Sequence, residues 1–413
     1  MKKILSLLLL SGLIVTNGKA QDTVKPTITK AVDAIVAKVE EKKSHWYDKI
    51  NVRGYVQVRY NRLFESNPEF KSEQGDKSIG SNGGFFIRRA RIIFFGQLNE
   101  HVYFYIQPDF ASSASSTGLH FGQLRDAYFD VSIDKKKEFR FRFGQSKVPF
   151  GFENMQSSQN RLPLDRNDAL NSAVSNERDL GVFFMYAPKK IRSLYSSLVN
   201  DGYKGSGDYG VFAFGLYNGQ TANKPELNNN SHWVARLTYP FTIKNQVIEP
   251  GISMYSGIYT LPKDQLTTGI KTFKDNHYLD ERYAATLVLY PKPFGVFIEY
   301  NMGKGPQYDM AKDSVLLKDL KGGYVTLTYL IKLKKHILMP FVRGTIYEGG
   351  KKHELDARAY DVKELEGGVE WQPMKYFELT ATWLYSEKWT SDKAKKDNFQ
   401  IGNMLRLQAQ VNF

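Results

Sequence analysis

Residues 139–150 read FRFRFGQSKVPF, and the first five alternate Phe139, Phe141 and Phe143 with Arg140 and Arg142. Successive side chains of an extended chain point to opposite faces, so three rings lie on one side and two guanidinium groups on the other. A soluble sheet with its rings in a dry core satisfies that pattern. So does the wall of a membrane barrel, with rings towards lipid and charges towards a wet lumen. One strand does not separate the two readings, but the rest of the chain does.

The same alternation recurs from Ile50 to the last residue. Val52, Val56, Val58 and Tyr60 alternate with Arg53, Tyr55, Gln57 and Arg59. Ala90, Ile92 and Phe94 alternate with Arg89 and Arg91, Phe104 and Ile106 with Tyr103, Tyr105, Gln107 and Asp109, and Ala127, Phe129 and Val131 with Asp126, Tyr128 and Asp130. Long connections follow Leu63, Phe110, Phe150, Gly219, Tyr259, Met302, Tyr347 and Trp389, with short turns such as 240–246, 290–293, 332–336 and 372–376 between them. Long loops at one rim and short turns at the other are the habit of outer-membrane barrels. The spacing predicts an all-β transmembrane antiparallel barrel of about 16 strands over residues 49–413, with both termini at the short-turn rim. One stretch departs from it. Residues 186–208 are too long for a plain turn, and 180–186 are apolar on both faces.

The N-terminus has the three parts of an export signal over residues 1–20: Lys2 and Lys3, an apolar run from Ile4 to Val15, and a small residue, Ala20, suited to cleavage before Gln21. Ile28, Val32, Ile35 and Val39 then recur at spacings of four and three, which predicts a short amphipathic periplasmic helix within 21–48. It reads either as an oligomerising element or as a helix lying on its own domain. At the other end Leu405, Leu407, Ala409, Val411 and Phe413 alternate with Arg406, Gln408, Gln410 and Asn412. A closing strand with a terminal aromatic is the form barrel-assembly machinery takes up.

Composition removes other classes. The chain has no Cys, which excludes disulfides and thiolate metal sites. The motifs GxSxG, HExxH and GxxxxGK[ST] are absent, and the seven His are scattered, so neither an enzyme, a cofactor nor a metal is expected. The leader carries three of the 57 Lys and Arg and none of the 43 Asp and Glu, which leaves the mature chain at +11. Export and the barrel pattern turn that charge away from nucleic acid and towards anions or lipopolysaccharide.

Specific words in the chain resemble the phosphate-selective porin O and P family: "RGYVQVRYN" at 53–61, "FFIRRARI" at 85–92, "FYIQPDFA" at 104–111, "RDAYFDV" at 125–131, "FGQSKVPFG" at 143–151, "NERDLGV" at 176–182, "GLYNG" at 215–219 and "ARLTYPF" at 235–241. They occur in that family's order and match the first half closely, the rest more loosely. The resemblance implies a sixteen-stranded homotrimeric barrel in the outer membrane of a Gram-negative bacterium. It also implies passive flow of small anions, phosphate first, past arginines at a narrow eyelet, with lysines gathering anions at the outer mouth.

Independently of the resemblance, inward parity selects Arg53, Arg59, Arg89, Arg91, Arg140, Arg142, Arg236, Arg343 and Arg406 as candidates for an anion path. Arginine offers a fixed fork of donors that suits an oxyanion, and it keeps its charge at any relevant pH. The insert after Phe150 is the expected constriction; it brings Arg161, Arg166 and Arg178, with Lys147 just before it. Lys263, Lys271 and Lys274, with Lys304, Lys312, Lys318 and Lys321, are the expected outer-mouth lysines. The bland alternative pairs these cations with inward acids (Asp109, Asp126, Asp130, Glu299) and loop acids (Asp165, Asp168, Asp179). Two other functions stay open: a general or sugar porin using inward Tyr55, Tyr103, Tyr105 and Tyr128 as stacking surfaces, and a closed barrel with an adhesive or structural role.

Overall fold

The computed structural model describes residues 45–64, 84–112, 120–174, 178–394 and 398–413. Lys49–Phe413 forms one compact unit. Trp46–Lys49 is a turn of 3-10 helix. The leader and the amphipathic seam from Ile28 to Val39 lie outside the described residues.

The strands are β1 Asn51–Leu63, β2 Gly84–Gln97, β3 Val102–Ser112, β4 His120–Ser132, β5 Phe139–Lys147, β6 Arg178–Tyr186, β7 Phe212–Tyr217 and β8 His232–Thr238. They continue as β9 Gln246–Thr260, β10 His277–Leu289, β11 Phe294–Asp309, β12 Ser314–Tyr329, β13 Ile337–Gly350, β14 Ala359–Met374, β15 Phe377–Thr390 and β16 Phe399–Asn412. Two strands are interrupted: β8 resumes at Phe241–Ile243 and still pairs with β9, and β12 resumes at Ile331–Lys332 and still pairs with β13. In the first case Pro240 removes a ladder donor. The eighteen ladder segments are therefore sixteen strands, each antiparallel to its neighbours in sequence. The last strand returns to the first, with Tyr55 opposite Asn412 and Leu63 opposite Met404. Closure leaves no strand edge open, the condition for a sheet to cross a bilayer. No described helix is long and apolar enough to cross a membrane.

The wall is inside-out relative to a soluble sheet. Val58, Phe94, Ile106, Phe129, Leu216, Ile252, Leu365 and Leu407 are exposed on the outside, while Arg59, Arg91, Arg142, Arg282 and Arg406 are buried inside. The parity expected for 139–143 is the observed one: Phe139 is exposed and Arg140 and Arg142 are buried. Gly54, in the seam, leaves room for the Phe413 ring, which a Cβ would meet at 2.5 Å, and the two residues exchange backbone hydrogen bonds of 2.8 and 3.0 Å.

Two connections differ from the sequence expectation. Strand β11 runs on to Asp309 and β12 begins at Ser314, so the long loop expected after Met302 is a short turn. Lys304, Lys318 and Lys321 accordingly sit on strands, and Lys318 and Lys321 pair with Asp309 and Glu348. Conversely, the connection from β6 to β7, on the short-turn rim, carries an amphipathic helix, α2 (Lys189–Asn200). It follows Pro188, Glu138 accepts a hydrogen bond from the Lys189 N–H at 2.8 Å, and it ends at Gly202, whose φ is 76°. Ile191, Tyr195 and Leu198, on one face, bury against Phe152, Val247, Val288, Phe297 and Tyr324. Those last four are inner-face residues of β9 to β12, so the helix fills that side of the barrel.

Candidate anion-binding site

Residues 148–174 fold into the lumen instead of over its rim, and nearly all are buried. The turn inward needs Gly151, whose φ is +68° and whose missing Cβ would lie 2.3 Å from Glu299 Oε1. Gly151 N–H donates to Ser253 Oγ at 2.9 Å, and Phe152 and Glu153 N–H donate to Glu299 Oε2 at 2.9 and 3.0 Å. Glu299 thus holds the loop and forms no ion pair with an arginine among the described residues. A short helix, α1 (Asp168–Ala173), is capped by Asn167 and received by Arg282, which donates to Ser172 Oγ at 2.9 Å. Opposite, Glu153 accepts from Arg343 at 2.9 Å, and Asp165 accepts from Arg59 at 3.3 Å and from Arg406. Burial by itself would raise the Glu153 carboxyl, but Arg343 and Arg161 hold it below the usual carboxylate range.

Most candidate cations are answered by carboxylates: Arg91 by Asp109 at 2.9 Å, Arg142 by Asp130 at 2.7 Å, Arg178 by Asp126 at 2.9 Å and Arg140 by Asp208 at 2.8 Å. Arg236 lies 3.5 Å from Glu249. Lys147 donates to the Met155 and Gln156 carbonyls, and Arg166 to those of Glu153 and Gln156. Arg53 is exposed at the short-turn mouth, over the Phe95 ring. Lys263, Lys271 and Lys274 are exposed in the loop from β9 to β10.

Arg89 and Arg161 stand apart. Both are buried, and neither forms an ion pair among the described residues. Arg89 donates from Nη1 to Gln57 Oε1 at 2.9 Å, and Arg161 reaches only the Leu164 carbonyl, at 3.5 Å. Arg89 Nε and both Nε and Nη1 of Arg161 are buried donors without an acceptor among the described residues. Arg88, Arg91 and Arg161 all lie close enough to Arg89 to repel it electrostatically. Charged donors left so are costly unless an anion accepts from them.

Strict alternation could not place two further arginines here. The ladder between β1 and β2 skips Arg88, and that between β3 and β4 skips Arg125. At each bulge two consecutive residues share the inner face, Arg88 with Arg89 and Arg125 with Asp126. Arg88 then approaches Asp165 at 3.8 Å and Arg125 approaches Asp109 at 3.9 Å. Doubled charges, RR in one strand and RD in the other, are the only trace of this in the sequence.

A closed sixteen-stranded barrel with an apolar belt, a loop folded into its lumen and a cationic inner wall is a porin-type channel of the outer membrane. The chain belongs to the phosphate-selective porin O and P family, whose profile matches residues 66–413. It is thus a transport protein for small anions in a Gram-negative outer membrane, not a catalyst. No curated protein sequence matches it. Among solved structures it is similar in fold to the outer membrane channel DcaP of Acinetobacter baumannii (15% identity, 88% of this chain and 97% of that one, TM-score 0.54). It is similar too to OmpF of Salmonella typhi in complex with daunomycin (10% identity, 88% and 97%, TM-score 0.54) and to an anion-selective porin from Comamonas acidovorans (8% identity, 88% and 99%, TM-score 0.50).

Proposed function

We propose that the protein is a passive channel whose preferred ion is phosphate, bound in transit between Arg89 and Arg161. The single observation that carries this is the set of buried guanidinium donors on those two residues that have no acceptor among the described residues. Guanidinium forks with open donors suit an ion with several oxygens better than a single-atom ion such as chloride. The remaining cations grade the approach. Arg59, Arg91, Arg140, Arg142, Arg178, Arg343 and Arg406 are already paired, so an anion can exchange contacts with them without being trapped. Exposed Lys263, Lys271 and Lys274 raise the anion concentration near the rim, or bind lipopolysaccharide phosphates. The homotrimer and insertion by barrel-assembly machinery implied by the family belong to the same proposal.

Purified protein in a planar bilayer under a salt gradient tests it. The reversal potential should show anion preference, and added phosphate should inhibit the chloride current. Arg89→Gln with Arg161→Gln should lower both, by roughly tenfold in the inhibiting concentration, as expected for loss of about 1.4 kcal/mol of binding. An unselective channel untouched by phosphate overturns the reading.

A further inference from the structure

Towards the short-turn rim the lumen opens into a chamber of about 400 Å³ that contains Arg53, Tyr103, Tyr105, Tyr128, Arg142 and Tyr209. Its rings are ordered by sheet register. Tyr105 on β3 lies opposite Phe95 on one side and Tyr128 on the other, and Asp130, two residues further along β4, lies opposite Arg142. Tyr105 and Tyr128 stack with centroids 5.0 Å apart and planes 11° apart. The Arg142 guanidinium lies 3.8 Å from the Tyr128 centroid and 5.5 Å from that of Tyr209, while Arg53 lies 5.2 Å from that of Phe95. A belt of flat groups, three rings between two guanidinium groups, thus crosses five strands. Arg142 is locked on Asp130 through two hydrogen bonds. Arg53 makes no ion pair or hydrogen bond among the described residues and keeps its donors for the chamber.

Inorganic phosphate gains little from such a belt, because a hydrated ion without a flat apolar face has nothing to stack. An anion that carries a planar ring gains twice, from the tyrosine faces and from the Arg53 fork. We infer that this chamber is a binding site, separate from Arg89 and Arg161, for ring-bearing oxyanions such as aryl phosphates and aromatic carboxylates. It makes them favoured cargo over ring-free anions of equal charge. The inference rests on the anion path proposed above but does not use Arg89 or Arg161.

The test compares phenyl phosphate, methyl phosphate and inorganic phosphate as inhibitors of chloride current through the full-length protein in bilayers. Phenyl phosphate should inhibit at a concentration roughly three- to tenfold below methyl phosphate, the range a single ring contact supplies. Tyr105→Leu should abolish that difference and leave inhibition by inorganic phosphate unchanged, and Tyr105→Phe should keep it. Arg53→Gln should weaken phenyl phosphate more than inorganic phosphate. If Tyr105→Leu fails to fold, judged by heat-modifiable gel mobility, the Arg53→Gln comparison decides. Equal inhibition by the phenyl and methyl esters, or a difference that survives both Tyr105→Leu and Arg53→Gln, overturns the inference. Inhibition by phenyl phosphate with none by inorganic phosphate supports the chamber and overturns only the Arg89–Arg161 reading.

Discussion

The two halves of this barrel have opposite interiors. From β6 to β12 the inner face carries, between charged residues such as Arg236, Arg282 and Glu299, the apolar and aromatic set Phe183, Tyr217, Val234, Tyr255, Val288, Phe297 and Tyr324, which shares buried clusters with Phe150, Leu170, Ile191 and Tyr195 of the inserted segments. From β14 through the seam to β5 the inner face is mostly polar, with Glu366, Thr382, Gln408, Arg59, Arg91 and Arg142. One half is a core turned inward, filled by the loop and by α2. The other meets the loop through polar contacts, such as Arg59 and Arg406 to Asp165, and the proposed anion path lies along it. Outer-wall patterning is the same in both, so lipid sets the outside of a barrel strand and the plug sets its inside.

The largest expected effect breaks the packed half. Phe150→Ala should cost about 3–5 kcal/mol, as for other fully buried rings, and loosen the inserted loop. Single-channel conductance should rise and become noisy, while the outer-membrane level stays high enough to record. Quiet, unchanged channels would show that the core does not set the bore. Asp165→Asn should cost a similar or slightly smaller amount, about 3 kcal/mol, because it strands Arg59 and Arg406. Here the halves differ: phosphate should restore part of the lost melting temperature, since the released guanidinium groups accept an anion by mass action. The Phe150 variant should gain no more from it than the unaltered protein does.

A smaller effect is acid-dependent. Burial alone would raise the Asp208 carboxyl, but Arg140 and Arg192, at 2.8 and 2.7 Å, hold it below its ordinary value. A depressed carboxylate stabilises the fold fully above its unfolded pKa of about 3.9, and that contribution is lost as pH falls through the lower folded value. The segment behind α2 should therefore stay docked down to about pH 4 and release below it. Conductance recorded from pH 7 to pH 3 should step up in that range, and Asp208→Asn should show the raised level already at pH 7. The smallest effect lies outside both halves. Replacing Lys271 and Lys274 with Ser should lower conductance only in dilute salt, where the screening length is about 30 Å, and leave it unchanged at 1 M.

The barrel was legible from the chain because its cause is local. Each strand must satisfy lipid on one face, so Phe139 and Arg140 report their sides wherever they sit. The anomaly at 180–186 was equally visible, but its meaning was not. Phe183 finds its apolar partners only when Phe150 of the inserted loop joins its cluster, and Met185 is buried on the same strand. The bulge arginines were invisible for a related reason: skipping Arg88 and Arg125 depends on how two strands meet, and no single strand records that.

By itself, then, the sequence determined the strand pattern, the inside-out polarity, the near-even alternation of loop and turn, and the type of side chain that would face an ion. Tertiary structure decided which cations still have donors to offer. Arg140 and Arg142 have the same parity and chemistry as Arg89, yet they are held by Asp208 and Asp130, while Arg89 donates to Gln57 and forms no ion pair among the described residues. The reason is distance. A carboxylate neutralises a guanidinium only within a few ångströms, and the partners that achieve this come from the neighbouring strand, as Asp130 does, or from a connection tens of residues away, as Asp208 does.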